Sequence, residues 1–322
     1  MGEIQGFWAK LTLGSALWCF WGCFLGLATP SVVDAQTAAP PGFSNEADPS
    51  LVPEDTLETA YTLGLGAGVR AGATGTSALA TNVSNMGAKR AYDIEAFSQL
   101  IPGDGDTYWT IGSSVVDSAT SKRIALGTSM RGVFSGTDRQ YDGWDWRTGI
   151  AIQAIEQLGL GLGVRWGRLR SKTFNEQRTG PTFNGVTLDA SLTVTPLPMI
   201  KLAGLGYNLI KTNSSLAPQM AGGSVAIVPV ESFTAGADLL VDLTTFEKNE
   251  LLIGVGAQFI ASEKVPLRIG YRRDNGRGFN QITAGAGFMQ GRFGVEMSIR
   301  QTLGSADKET YILVQTRFVV EQ

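Results

Sequence analysis

The chain has 322 residues, 43% of them hydrophobic and 17% charged, with 41 glycines and a formal net charge of −3. Lys and Arg together number 26 against 29 Asp and Glu, so there is no basic surplus to neutralise phosphates and no support for a nucleic-acid partner. There is no histidine, which removes every Ser-His or Cys-His catalytic pair and the commonest metal ligand, so the expectation is a non-enzyme with no cofactor and no metal site.

Residues 1–35 read as a secretory signal peptide. Lys10 supplies the positive region, residues 11–28 are uncharged and apolar, and Val33-Asp34-Ala35 places small residues before a cut at Gln36. A retained membrane anchor and a lipoprotein processed at Cys23 are the alternatives. Residues 36–61 contain Pro40, Pro41, Pro49 and Pro53 with little periodicity and read as a flexible leader. Residues 62–88, TLGLGAGVRAGATGTSALATNVSNMGA, are rich in small residues with no long apolar face. They are expected to hold one short strand and a short helix near Ser77–Ser84.

From residue 89 onward, segments of about ten residues alternate with period two, the pattern of half-buried strands. The clearest is LGLGLGVRWG at 158–167: Leu158, Leu160, Leu162, Val164 and Trp166 share one face, and Gly159, Gly161, Gly163, Arg165 and Gly167 share the other. Fourteen strands are predicted, near 90–101, 107–116, 123–133, 145–156, 158–169, 186–195, 199–211, 223–231, 234–243, 250–260, 266–273, 280–290, 292–302 and 309–320. The 199–211 segment alternates least clearly, and 223–231 contains Pro229. Connections after the second, fourth and later even strands are short, whereas 134–144, 170–185 and 212–222 are long. Tight turns at one end and long loops at the other mark an outer-membrane barrel.

The glycine-bearing face settles the orientation. In a soluble sandwich, solvent-facing positions carry Lys, Glu and Thr. Here they carry glycine and few charges, so the leucines and valines face hydrocarbon and the small or polar residues line a confined lumen. Closure removes the unpaired strand edges that a bilayer penalises. The predicted fold is an all-β, fourteen-stranded antiparallel transmembrane barrel spanning 89–322. Trp109, Trp144, Trp146, Trp166, Tyr271, Phe288, Phe293 and Phe318 lie near strand ends, as interfacial girdles require. Arg165, Arg268, Arg272, Arg292, Arg300 and Arg317 fall on the inner face with Asp93, Glu95, Asp189, Asp238, Asp242 and Glu296. They form either a structural network or a solute-selecting ring. Neither glycine-rich stretch has the spacing of a dinucleotide loop, and no Gly-Lys-Ser/Thr occurs.

Residues 64–97, GLGAGVRAGATGTSALATNVSNMGAKRAYDIEAF, and residues 265–302, opening VPLRIGYRRDNGRG, resemble the outer-membrane long-chain fatty-acid transporter superfamily and its relatives, the barrel shuttle subunits of type nine secretion. Asn85-Met86-Gly87-Ala88 stands where that superfamily has Asn-Pro-Ala-Gly. The resemblance implies fourteen strands, with residues 62–88 folded inside as a hatch that includes Asn82, Asn85, Met86 and Gly87. It implies passive diffusion of hydrophobic solutes, with a greasy loop surface to capture them; Tyr141, Trp144, Phe174 and Phe183 are the candidates. The expected partners are membrane lipid, a hydrophobic small-molecule solute and the barrel-assembly machinery. The alternative function is a barrel that transports nothing and scaffolds a secretion or cell-surface complex.

Overall fold

The computed structural model describes residues 58–102, 107–135, 141–171, 183–212, 214–304 and 309–321. The predicted signal peptide, most of the leader and Phe174 lie outside them. Fourteen strands run in chain order: β1 Ala91–Pro102, β2 Thr107–Asp117, β3 Ile124–Ser135, β4 Tyr141–Ile155, β5 Leu158–Ser171, β6 Phe183–Leu197, β7 Ile200–Tyr207, β8 Met220–Val230, β9 Phe233–Asp242, β10 Glu250–Ala261, β11 Val265–Asp274, β12 Phe279–Gln290, β13 Phe293–Leu303 and β14 Thr310–Glu321. Each pairs antiparallel with its sequence neighbour. The barrel closes where β1 meets β14, in register from Ala91 opposite Glu321 to Leu100 opposite Ile312.

The alternation seen in the sequence appears as an inside-out burial pattern. On β13, Phe293, Val295 and Met297 are exposed, Met297 at 54%, while Glu296 and Ser298 are buried. On β5, Leu160, Leu162 and Trp166 are all more than 40% exposed, whereas Arg165 is fully buried. A sheet that hides arginine and displays leucine is stable only where hydrocarbon is the solvent. No helix among the described residues is long and apolar enough to cross a membrane, and the strands do the crossing.

Two ends are distinguishable. Residues 156–157, 198–199, 231–232, 262–264 and 291–292 make tight turns at one end, where both the start of β1 and the end of β14 also lie. Two of these turns use left-handed backbone, at Ser262 and Glu263 and at Gly291. Arg292, expected on the inner face, sits in the last of them and is exposed; a two-residue reversal leaves it outside the alternation of β13. Three irregularities in register, next to Gln153, Val194 and Ile227, fall at this same end. Pro229 lies in the third, where a missing ladder donor is tolerated.

At the opposite end the strands reach further than alternation alone predicted. β4 starts at Tyr141 and β6 at Phe183. β7 is shorter than expected, ending at Tyr207. Asn208 then takes positive φ, and the following chain turns back, with the Leu209 amide still bonded to the Leu188 carbonyl of β6 at 2.7 Å.

Candidate functional site: a segment latched across the lumen

Residues 58–88 lie inside the barrel and are almost wholly buried. Thr59 begins helix α1, Ala60–Gly64, through a reciprocal cap: its hydroxyl accepts the Thr62 amide at 3.3 Å and its amide bonds the Thr62 hydroxyl at 3.0 Å. Residues 58–61 thus belong to the lumenal segment and not to the leader. The expected short strand does not form. Gly66, Ala67 and Val69 have positive φ, which coils the chain into a 3-10 turn at Arg70–Gly72. Helix α2, Gly75–Thr81, and a second 3-10 turn, Val83–Ala88, follow.

The wall glycines are where this segment sits. A Cβ on Gly254 would lie 2.6 Å from the Gly66 carbonyl oxygen and 2.7 Å from the Gly68 nitrogen, and one on Gly256 would lie 2.5 Å from the Leu65 oxygen. Across the barrel, a Cβ on Gly159 would lie 2.5 Å from the Ser84 oxygen, and one on Gly161 would lie 2.6 Å from the Val83 carbonyl carbon. Bare backbone on β5 and β10 therefore lets a second backbone lie directly against the sheet. That is the role of Gly159 and Gly161 in LGLGLGVRWG, while Gly167 makes room for the Phe183 ring, 2.6 Å from where its Cβ would stand.

Polar side chains fasten the segment to most of the wall. The Ala60 amide donates to Gln315 Oε1 at 2.7 Å, and Ser298 and Thr283 donate to the Ala60 and Gly64 carbonyls at 2.6 and 2.9 Å. Asp238 of β9 accepts the Val69 amide at 2.8 Å, the Arg70 guanidinium at 2.8 Å and the Ser224 hydroxyl. Asp93 of β1, itself paired with Arg317, accepts the Thr76 amide at 2.9 Å, and Glu95 accepts the Thr76 hydroxyl at 2.9 Å. The Tyr207 hydroxyl donates to the Thr81 carbonyl. These groups satisfy the backbone of a short, irregular segment that has no ladder of its own.

The resemblance-derived residues cluster at the segment's end. Asn82 donates to Thr193 Oγ1 at 2.9 Å and to the Arg70 carbonyl at 3.2 Å, while Asn85 donates to the Ala71 carbonyl at 3.2 Å. They tie the second 3-10 turn back onto the first. Met86 is fully buried and Gly87 is half-buried beside Ala125.

The inner-face charges form separate paired groups. Arg268 binds Glu296 at 2.7 Å and Gln258 at 2.7 Å, and its guanidinium lies 5.3 Å from the Tyr61 ring centre. Arg300 and Arg272 both reach Glu58, at 2.5 and 3.5 Å. Arg165 binds Asp145 at 2.5 Å, with Arg131 and Arg147 each at 3.5 Å from the same carboxylate. The sequence reading missed Asp145, Arg131 and Arg147. All three lie within the strands predicted at 123–133 and 145–156 and share the inward phase of β3 and β4, so alternation alone made them legible.

Toward the long-loop end, buried apolar side chains gather in the lumen. Ile101, Leu169, Phe183, Tyr311 and Leu313 converge there with Leu216 of the β7–β8 connection. Leu216 is fully buried, and its carbonyl accepts from Arg165 at 3.4 Å. The three described residues proposed as loop capture surface all lie on strands rather than in loops. Phe183 is the first residue of β6, 2% exposed and turned inward, 4.9 Å from the Arg165 guanidinium. Trp144 is on β4, facing outward against Trp166 with ring centres 4.8 Å apart. In both cases the longer strands impose their alternation on residues expected in loops. Tyr141 opens β4.

No protein-family model and no curated protein matches the chain by sequence. Solved structures do match it. The Ralstonia pickettii toluene transporter TbuX superposes with a TM-score of 0.59 at 12% identity, covering 83% of this chain and 99% of its own. The monoaromatic hydrocarbon channel CymD gives 0.59 at 12% identity over 77% and 93%. A FadL homologue from Pseudomonas aeruginosa gives 0.59 at 11% identity over 80% and 97%. A closed barrel of even strand number with an apolar exterior belongs in a bacterial outer membrane, and the fold of this chain is that of the FadL-like outer-membrane transporters.

Proposed function

We propose that the protein is an outer-membrane conduit for hydrophobic small molecules, which pass by diffusion once the lumenal segment 58–88 gives way as a hatch. The observation that carries this reading is the division of the lumen. Buried apolar side chains, Leu169, Phe183 and Leu313 among them, pack together on the side of the long loops, and the segment 58–88 lies fastened to the wall between them and the other end. An apolar lumen end above a fastened segment suits a solute that partitions out of water at about 25 cal/mol per Å² of apolar surface. An ion channel would leave a continuous watery path. The fold is shared with proteins whose names specify toluene and monoaromatic hydrocarbons, which places aromatic and alkyl hydrocarbons first among the solutes to try. The reading assigns no catalytic step, cofactor or metal.

Deleting residues 62–88 tests it. The deleted barrel, once shown to remain folded by heat-modifiable migration on gels, should admit small solutes in liposome swelling at well above the wild-type rate. A folded, deleted barrel that stays as tight as the wild type would remove the hatch from the proposal. Failure of the intact protein to move labelled toluene or a labelled alkane into vesicles would remove the conduit itself.

A further inference from the structure

The four tryptophans of the described residues, Trp109, Trp144, Trp146 and Trp166, all lie on β2, β4 and β5. Trp144 and Trp166 meet edge to face with centroids 4.8 Å apart, and Trp146 joins them at 6.0 Å from Trp166. The girdle at the short-turn end is different in kind: Phe259, Phe288, Phe293 and Phe318, all exposed, spread along β10 to β14. On that far arc, two groups near the long-loop end are bonded to neighbours in the barrel. Tyr271 donates to Asn280 at 2.6 Å and Arg273 to Asn275 at 2.7 Å.

Arg168 stands immediately above the indoles. It is exposed, two residues beyond Trp166 on the same face of β5, and opposite Trp144 on one side and Asn184 on the other. It has no hydrogen-bond or ion-pair partner among the described residues. Asp142, one step further out on β4, has a partner of its own and is in register with Arg170. A second exposed cation without a partner, Lys211, lies on the other side of β6, next to Ile210, whose carbonyl accepts from Thr187 at 3.0 Å. Two inter-strand spacings separate these backbones, about 10 Å. Arg168 is ten residues up β5 from Leu158; at about 3.3 Å per residue and a tilt of about 40°, that is roughly 25 Å from the turn, the height at which the apolar band ends.

We propose that this corner of the barrel, Trp144, Trp166, Arg168 and Lys211, binds the phosphorylated headgroup of an outer-leaflet glycolipid. The proposal rests on the outer-membrane placement and is independent of what crosses the lumen. A guanidinium offers a planar fork matched to phosphate. Its position at the edge of hydrocarbon, with an ammonium about one headgroup width away, suits a phosphorylated sugar held by acyl chains alongside the wall. The indoles supply flat, amphipathic surface for the sugar and the upper acyl carbons. An ordinary aromatic belt would need neither two cations without partners among the described residues nor the crowding of all four described indoles onto one arc.

The test uses the purified full-length barrel in detergent, stripped of lipid. Native mass spectrometry would read binding of diphosphoryl lipid A, of chemically dephosphorylated lipid A and of phosphatidylglycerol. The variants are Arg168→Gln/Lys211→Gln and Trp144→Leu/Trp166→Leu, each first shown to migrate as a folded barrel. Expected are wild-type binding of diphosphoryl lipid A at least tenfold tighter than of the other two lipids, loss of that preference in the charge variant, and unchanged vesicle uptake of solute. Equal binding by wild type and charge variant would overturn the proposal. So would indifference to the phosphates, which reduces the corner to an apolar belt, or equal binding of phosphatidylglycerol, which reduces it to a general anion surface.

Discussion

Gly161 shows how a single residue on the wall sets the shape of the lumen. Its outer neighbours Leu160 and Leu162 face lipid, and its own face meets the Val83–Ser84 backbone closely enough that a Cβ would sit 2.6 Å from the Val83 carbonyl carbon. Peptide against peptide leaves no slack for a side chain, because packed interiors have few voids. Gly161→Val should therefore push the segment off β5 and lower stability by about 1–3 kcal/mol, the usual cost of overpacking. Gly185 on the next strand supplies the control, since a Cβ there meets nothing within 4 Å. Gly185→Ala should stay within about 0.5 kcal/mol of wild type. Denaturant unfolding in the same micelles measures both, and protease nicking at Arg70 or Lys89 reports whether the segment has come loose. Equal melting of the two variants would mean that the close approach at Gly161 is not what holds the segment.

At the scale of elements, the strands and the segment differ in how they are encoded. Most strand positions follow one rule, apolar out and polar or small in, so positions such as Leu251, Ile253 and Val255 announce their face by spacing alone. Glycines on the inward face of β5 and β10 were readable as a need for space. The lumenal segment follows no rule of that kind. Its conformation depends on Asp238, Asp93, Ser298 and Gln315, each more than a dozen residues away in sequence and lying on four different strands. The residues near the left-handed turns are anchored far away in sequence, Val69 and Arg70 by Asp238 and Gly64 by Thr283, which explains why a strand was expected where Gly66, Ala67 and Val69 turn left-handed. Tight fastening also makes hatch motion measurable. Ser84 Oγ and Thr193 Oγ1 lie 2.7 Å apart, so Ser84→Cys with Thr193→Cys places two sulfurs within bonding reach. The chain's two native cysteines, Cys19 and Cys23, precede the predicted signal cut. If the segment must leave β6 for a solute to pass, oxidation should drop uptake of a labelled hydrocarbon to the empty-vesicle level, and dithiothreitol should restore it. Unchanged uptake in the oxidised protein would show that solute passes without that movement.

For the whole molecule, one strand provides a depth scale. From the short-turn end, the outward residues of β11 are Leu267, Ile269, Tyr271 and Arg273. The order runs from hydrocarbon to interface to headgroup: Ile269 is 68% exposed, Tyr271 uses its hydroxyl to reach Asn280, and Arg273 binds Asn275. A water-soluble barrel would have no reason for that order, and in water a charge placed at so exposed a position as Ile269 would change stability by no more than about 0.5 kcal/mol. In a bilayer the same charge meets hydrocarbon near the middle of its thickness. Ile269→Arg should then cost about 2–4 kcal/mol, the range for arginine at the midplane of a membrane barrel. The natural Arg273 lies two steps higher on the same face, where its guanidinium binds Asn275. Reversible unfolding in lipid vesicles, with Tyr271→Arg as the intermediate depth, measures the gradient. A cost that falls from position 269 to position 271 fixes the bilayer around the middle of the strands. A flat, near-zero profile would take the leucines and valines out of lipid and, with them, the orientation on which the lumen, its latched segment and its glycolipid corner all depend.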